Sequence, residues 1–151
     1  MARRSLPVVL LVALTASLFI PGCFWKNDGR LHVNSVRGAV FVDGKPAVGA
    51  KVFFHPTADP ANPRGLRPFG EVAEDGSFEV STYLALDGAP AGDYVVTVYW
   101  PAPSPPLFKG KFEVESQPQD RLKNVYSDLR TSKLRAHIVA GDNDLPPFEL
   151  H

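Results

Sequence analysis

Residues 93–100, Asp-Tyr-Val-Val-Thr-Val-Tyr-Trp, decide the fold class. Tyr94, Val96, Val98 and Trp100 fall on one side of an extended chain, and Val95, Thr97 and Tyr99 on the other, because successive strand side chains point to opposite faces. Both sets are apolar or β-branched, which predicts a strand covered on both sides. An amphipathic helix would instead repeat its apolar residues every three or four positions.

The same period of two runs outward in both directions. Upstream, the loop Asp87–Gly92 leads into this strand, and Phe78, Val80 and Thr82 share one face of a strand behind it. Glu74-Asp75-Gly76-Ser77 is a hairpin signal, with Glu71–Ala73 as its other arm, since Gly tolerates the positive φ that such turns need. Val36, Gly38, Val40 and Val42 line a first strand closed by the turn Asp43-Gly44-Lys45-Pro46, and Lys51–His55 form a second. Downstream, Lys109–Glu115 alternates charge with Phe112 and Val114, the pattern of a half-solvated edge, and Asp120–Ser132 is irregular. Leu134, Ala136 and Ile138 give another strand with His137 on its outer face, Gly141-Asp142-Asn143-Asp144 a turn, and Phe148 and Leu150 a last strand. Four prolines in His55–Pro68 and the run Pro101–Pro106 predict loops, because proline removes a ladder donor. Seven or eight short strands separated by turns predict an all-β sandwich of two sheets.

Composition narrows the function classes. Of 151 residues, 44% are hydrophobic and 21% charged, which excludes a disordered tail or a collagen. Sixteen basic residues balance sixteen acidic ones, leaving no electrostatic footprint for nucleic acid. A single cysteine excludes a disulfide framework and a Cys-based zinc site.

Residues 1–22 read as an export signal. Arg3 and Arg4 form a positive start, Leu6–Ile20 an apolar run too short to span a bilayer comfortably, and Pro21-Gly22 end it before Cys23. Ile20-Pro21-Gly22-Cys23 resembles a bacterial lipobox. That resemblance implies a diacylglyceryl thioether on Cys23 and an acylated amino terminus, palmitate being a typical chain, and several chains hold where one would not. The alternative is an ordinary unpaired thiol beside a plain secretory signal. Residues 23–32 are then the lipidated cysteine and a polar tether, and residues 33–151 the domain. Phe24, where the lipoprotein family would use Asp for inner-membrane retention, leaves the outer membrane or cell surface open. The expected location is therefore the cell envelope.

Five pieces then line up: Val36-Arg37-Gly38-Ala39-Val40, Asp43-Gly44-Lys45-Pro46, Gly49-Ala50-Lys51-Val52, Glu74-Asp75-Gly76-Ser77-Phe78 and Ala91-Gly92-Asp93-Tyr94. Their order over residues 36–98 resembles the carboxypeptidase regulatory-like, transthyretin-like β-sandwich. The remainder is similar to an extended form of that module in small bacterial surface lipoproteins. The resemblance implies a seven- to eight-stranded transthyretin-like or Ig-like sandwich and says little about function. Tyr94 is expected as a core ring whose hydroxyl bonds a loop backbone.

Catalytic patterns are missing from the sequence. There is no Gly-x-Ser-x-Gly elbow, and His32, His55, His137 and His151 form no pair with metal-ligand spacing. The transthyretin-like hydrolase of 5-hydroxyisourate closes with Tyr-Arg-Gly-Ser, whereas this chain closes with Phe148-Glu149-Leu150-His151. Intradiol dioxygenases need a close His pair, which is absent. Asp142-Asn143-Asp144 and Asp87-Gly88 could offer oxygens to calcium, but two carboxylates are few, and Asp and Asn also favour turns on their own account. Tyr99 and Trp100, beside a proline loop, read either as an aromatic platform for sugar rings or a proline-rich peptide, or as core aromatics at a strand end. The expectation is a non-catalytic, lipid-anchored envelope module without cofactor or metal, structural or binding in role. It would meet the membrane through Cys23 and an envelope protein or polysaccharide by its surface, with no nucleic acid. A carbohydrate-binding or adhesion module is the alternative. A hydrolase of this fold comes third and requires His55 to converge with an acid and a Ser or Tyr.

Overall fold

The computed structural model describes residues 29–57, 65–103 and 118–151. Cys23 with the expected leader, and the strand expected at Lys109–Glu115, lie outside the described residues. In chain order the strands are β1 (Val33–Asn34), β2 (Val36–Val42), β3 (Lys45–Pro46), β4 (Lys51–Pro56), β5 (Phe69–Glu71), β6 (Ser77–Glu79), β7 (Ala89–Pro90), β8 (Gly92–Tyr99), β9 (Arg135–Ile138), β10 (Asn143–Asp144) and β11 (Phe148–Leu150). The described residues are all-β and contain no helix.

Two sheets share one core. The first is antiparallel in the order β5-β4-β8-β9, with β8 at its centre because both of its faces are apolar. The second is built around β2. The backbone groups of its even-numbered residues bond β6 and β3, as Gly38 pairs Phe78 and Val42 pairs Lys45, both antiparallel. Those of its odd-numbered residues bond β10 and β11, which run parallel to it: Leu145 N–H donates to Arg37 O and Asp43 N–H to Leu150 O. A small β1–β7 ladder joins the two at one end.

Alternation sends Val36 and Val40, Val52 and Phe54, Phe78, Tyr94, Val96 and Val98, and Phe148 and Leu150 into the core, each no more than 8% exposed. A chain of rings crosses between the sheets: Tyr94 meets Phe54 at 5.9 Å, Phe54 meets Phe78 at 6.2 Å, and Phe78 stacks on Phe148 at 6.3 Å between centroids. Each such pair adds about 0.5–1.5 kcal/mol beyond the area it buries. The β2–β3 turn is where Asp43 and Gly44 take φ of 50° and 74°, the paired left-handed geometry that suits the twist of a tight hairpin.

The strands expected at Val36–Val42, Lys51–His55, Asp93–Trp100, Leu134–Ile138 and Phe148–Leu150 are present within a residue or so at each end. Four differences have physical causes. The strand expected from Phe78 to Thr82 ends at Glu79, after which Val80 N–H bonds back to Val36 O and Ser81 exchanges bonds with Phe69 as an isolated bridge. The described residues hold eleven strands, and four of them contain only two residues, created by tertiary pairing rather than by any local pattern. The arm expected at Glu71–Ala73 starts two residues earlier, since pairing with β4 begins where Phe54 N–H reaches Pro68 O. The turn expected at Gly141–Asp144 is half strand, because Asn143 N–H is captured by Ser35 O on the β2 side.

Candidate functional site

Tyr99 and Trp100 do not form one platform. Trp100 continues the inward series of β8 and packs against the core, whereas Tyr99 belongs to the outer series with Val95 and Thr97. Tyr99 Oη donates to Pro118 O. Trp100 Nε1 donates to Val48 O at 2.9 Å, and the Arg121 guanidinium lies over the indole, 3.5 Å from its centroid. One face of the ring is therefore taken by a cation stacked upon it.

The organiser at that end is Asp120, which the sequence did not single out. Its carboxylate accepts from the backbone N–H groups of Trp100 (3.0 Å), Leu122 (3.0 Å) and Asn124 (3.1 Å), tying the 118–127 turns to the end of β8. Asp87 does the same at the opposite end, accepting from Thr82, Tyr83 and Leu84. An ionised carboxylate gathering several backbone donors is a strong, charge-assisted turn anchor. The only sequence signal for either is an acidic residue among turn formers.

Asn143 is a third anchor. Its side-chain oxygen accepts from Val139 N–H at 2.8 Å, and its amide donates toward Val139 O, Gly141 O and Ser35 O at 3.0, 2.9 and 3.2 Å. The amide thus acts as a one-residue strand partner for Val139. Upstream along β9, alternation from the Val96–Leu134 bond turns the backbone groups of Arg135 and His137 away from β8. Between this edge and β10–β11 lies a cavity of about 440 Å³, with Ala136, Leu145 and Phe148 as apolar lining and Arg135, His137 and Asp144 as polar lining. The rim charges have local partners, His137 Nδ1 with Asp93 Oδ1 at 2.6 Å and Asp144 Oδ1 with Arg37 Nε at 3.1 Å. The prolines Pro146 and Pro147 interrupt the facing edge between β10 and β11, a device that discourages strand addition there.

A second cavity of about 400 Å³ lies beside β5 and β6, lined by Phe69, Gly70, Glu71, Phe78, Glu79 and Leu86 among others. His55 stands elsewhere, on the outer face of β4, with its Nε2 2.9 Å from Thr97 Oγ1. Burial, and then the nearby Arg67 cation, push its pKa below the usual histidine value. It lines neither cavity, and among the described residues no acid is joined to it by a hydrogen bond or an ion pair. Among the described residues no group of three or more His, Cys, Asp or Glu is placed to hold a metal ion. Comparison with protein-family models, with curated proteins and with solved structures found no match.

Proposed function

We propose that this protein is a non-catalytic module of the cell envelope, held to a membrane by lipid on Cys23, with a transthyretin-like β-sandwich that serves a structural or binding role. The observation that carries this reading is the use made of the polar side chains. Asp87, Asp120 and Asn143 each commit three or more hydrogen bonds to the backbone of loops and edges, the work of a scaffold that fixes surfaces in place. His55 and His137 sit in separate two-member contacts with Thr97 and Asp93. The sandwich family is supported by the five-part turn series and by the Tyr94–Pro90 bond, in which a core tyrosine ring ties its hydroxyl to backbone as expected for that residue. The groove beside β9, with an apolar floor and a charged rim, offers a surface for an envelope component.

Metabolic labelling with a fatty-acid analogue, followed by fractionation of cells expressing the full chain or its Cys23→Ala variant, tests the anchor. The full chain is expected to carry label and to sediment with membranes, and the variant to lose both. Label persisting in Cys23→Ala overturns the reading.

A further inference from the structure

Leu84 and Leu86 are the most open large apolar side chains among the described residues, 69% and 61% exposed, and both stand on the 82–88 loop. Most of the loop's backbone donors are bonded locally. The Asp87 carboxylate accepts from Thr82, Tyr83 and Leu84 N–H at 2.7, 3.0 and 2.9 Å, Ser81 Oγ accepts from Leu86 N–H at 2.8 Å, and Thr82 Oγ1 donates to Gly88 O. A loop with these N–H groups already bonded loses less on leaving water, which is the demand a lipid environment makes of backbone. Leu86 also holds a φ of 59°, a conformation that Asn or Gly adopts more readily. Core packing does not account for a leucine there.

The tether arrives at this same loop. Leu31 N–H donates to Tyr83 Oη at 3.0 Å, and the Arg30 guanidinium lies 5.4 Å from the centre of the Tyr83 ring. Seven peptide steps separate Cys23 from Arg30, a reach of at most about 25 Å. The exposed Val139 lies at this end as well, since Gly141 N–H bonds Asn34 Oδ1 and Asn34 Nδ2 bonds Ala89 O. By contrast Val48, bonded to Trp100, stands beyond the far end of the eight-residue β8, about 23 Å along the strand.

We propose that the 82–88 loop is a membrane-facing surface, with Leu84 and Leu86 seated at the boundary of headgroups and acyl chains in the bilayer that holds Cys23. Tyr83, with an apolar ring and a polar tip, sits at the headgroup level where such side chains concentrate. Insertion of this kind reaches about 5–10 Å into the boundary. The module then has a fixed orientation, with the Trp100 end pointing away from the membrane. This proposal rests on the lipid-anchor reading of Cys23.

The test uses the full chain acylated at Cys23, whose sulfur is then blocked, with one new thiol from Leu84→Cys or Val48→Cys carrying a polarity-sensitive fluorophore. The protein is reconstituted in phosphatidylethanolamine–phosphatidylglycerol vesicles, and acylation is read by intact mass. The label at 84 is expected to shift to the blue and to be quenched several-fold more than the label at 48 by spin-labelled acyl chains. An acylated chain that floats with vesicles while both labels behave alike overturns the membrane-facing loop and leaves the anchor standing. If the chain is found unacylated, the same labels are placed in a Cys23→Ser background. A shift at 84 there supports the loop on its own, and no shift overturns it together with the anchor.

Discussion

The hydroxyl of Tyr94 donates to the carbonyl of Pro90, four residues back in the chain, at 2.7 Å, while its ring packs edge-on to Phe54. The bond pins β7 to the start of β8 from inside the core. Removing the hydroxyl leaves a buried carbonyl without that partner, so Tyr94→Phe is expected to cost about 1–2 kcal/mol. Burial, aided by the neighbouring Tyr83, pushes the Tyr94 phenol up to about 12. The neutral phenol is thus favoured in the folded chain, and its stabilising effect is complete below about pH 10 and lost as pH rises toward about 12. Denaturant midpoints measured from pH 8 to 12 should fall less steeply for Tyr94→Phe than for the parent chain. Parallel curves would contradict the argument.

That tyrosine was legible because its strand announces itself, with Val96 and Val98 continuing its inward series and Gly92 preceding it. The long strands β2, β4 and β8 were legible for the same reason, since a period of two needs several residues to register. The two-residue strand β10 was not, because Asn143 and Asp144 have turn propensity and are held extended by β2, whose paired residues are 107 positions away in the chain. Asp120 was missed and Asn143 was read only as part of an acidic turn, because each acts on backbone N–H or C=O groups, which every residue carries and no sequence pattern marks. Tyr99 and Trp100 are adjacent in the sequence, and that adjacency suggested a shared platform which strand alternation divides between two faces.

Gly88 is required by its neighbour as much as by its turn. A Cβ there would lie 1.7 Å from Asn34 O and 2.4 Å from Asn34 C, both backbone atoms that have no room to yield, and its φ is 91°. Gly44 has a φ of 74° but open space around it. Gly44→Ala should therefore cost only the conformational strain, about 1 kcal/mol. Gly88→Ala should cost several-fold more and separate β1 from β7. Thermal unfolding of the two variants side by side checks the ordering, and equal losses would sink it.

Asn143→Asp keeps the size and shape of the side chain but replaces an amide facing three carbonyls with a carboxylate. Donation to Val139 O, Gly141 O and Ser35 O is lost, and a buried negative charge is set against three negative dipoles. An expected loss of about 3 kcal/mol follows from unsatisfied buried groups together with charge burial. Exchange of the Val139 amide with solvent, read by hydrogen–deuterium mass spectrometry, should speed up as well. Unchanged protection at Val139 would show that the donations of the Asn143 amide are not what holds this edge.

His55 has its pKa lowered, by burial first and by Arg67 second. A folded state that resists protonation binds fewer protons than the unfolded chain in the window below about pH 6.5. The contribution of His55 is therefore present above that pH and is lost as pH falls through the lowered value. His55→Gln retains a side-chain partner for Thr97 Oγ1 without titrating, so its stability should decline less between pH 7 and pH 5. Identical declines in the two proteins would assign the acid limb to other groups.

Leu86 presents the clearest conflict between a residue and its place in the fold. A γ-branched apolar side chain, 61% exposed, occupies a left-handed backbone position. Leu86→Asn removes little buried surface and relieves the conformational cost, so the variant is expected to unfold at the same temperature as the parent or up to a few degrees higher. A mutation toward polarity that does not destabilise marks a position whose apolar character serves something other than the core. Asp87→Ala on the same loop is the contrast, because it strands the N–H groups of Thr82, Tyr83 and Leu84 at once and should lower the midpoint clearly. If Leu86→Asn destabilised as much as Asp87→Ala, Leu86 would be part of the packing of its loop, and its exposure would carry no message about a surface.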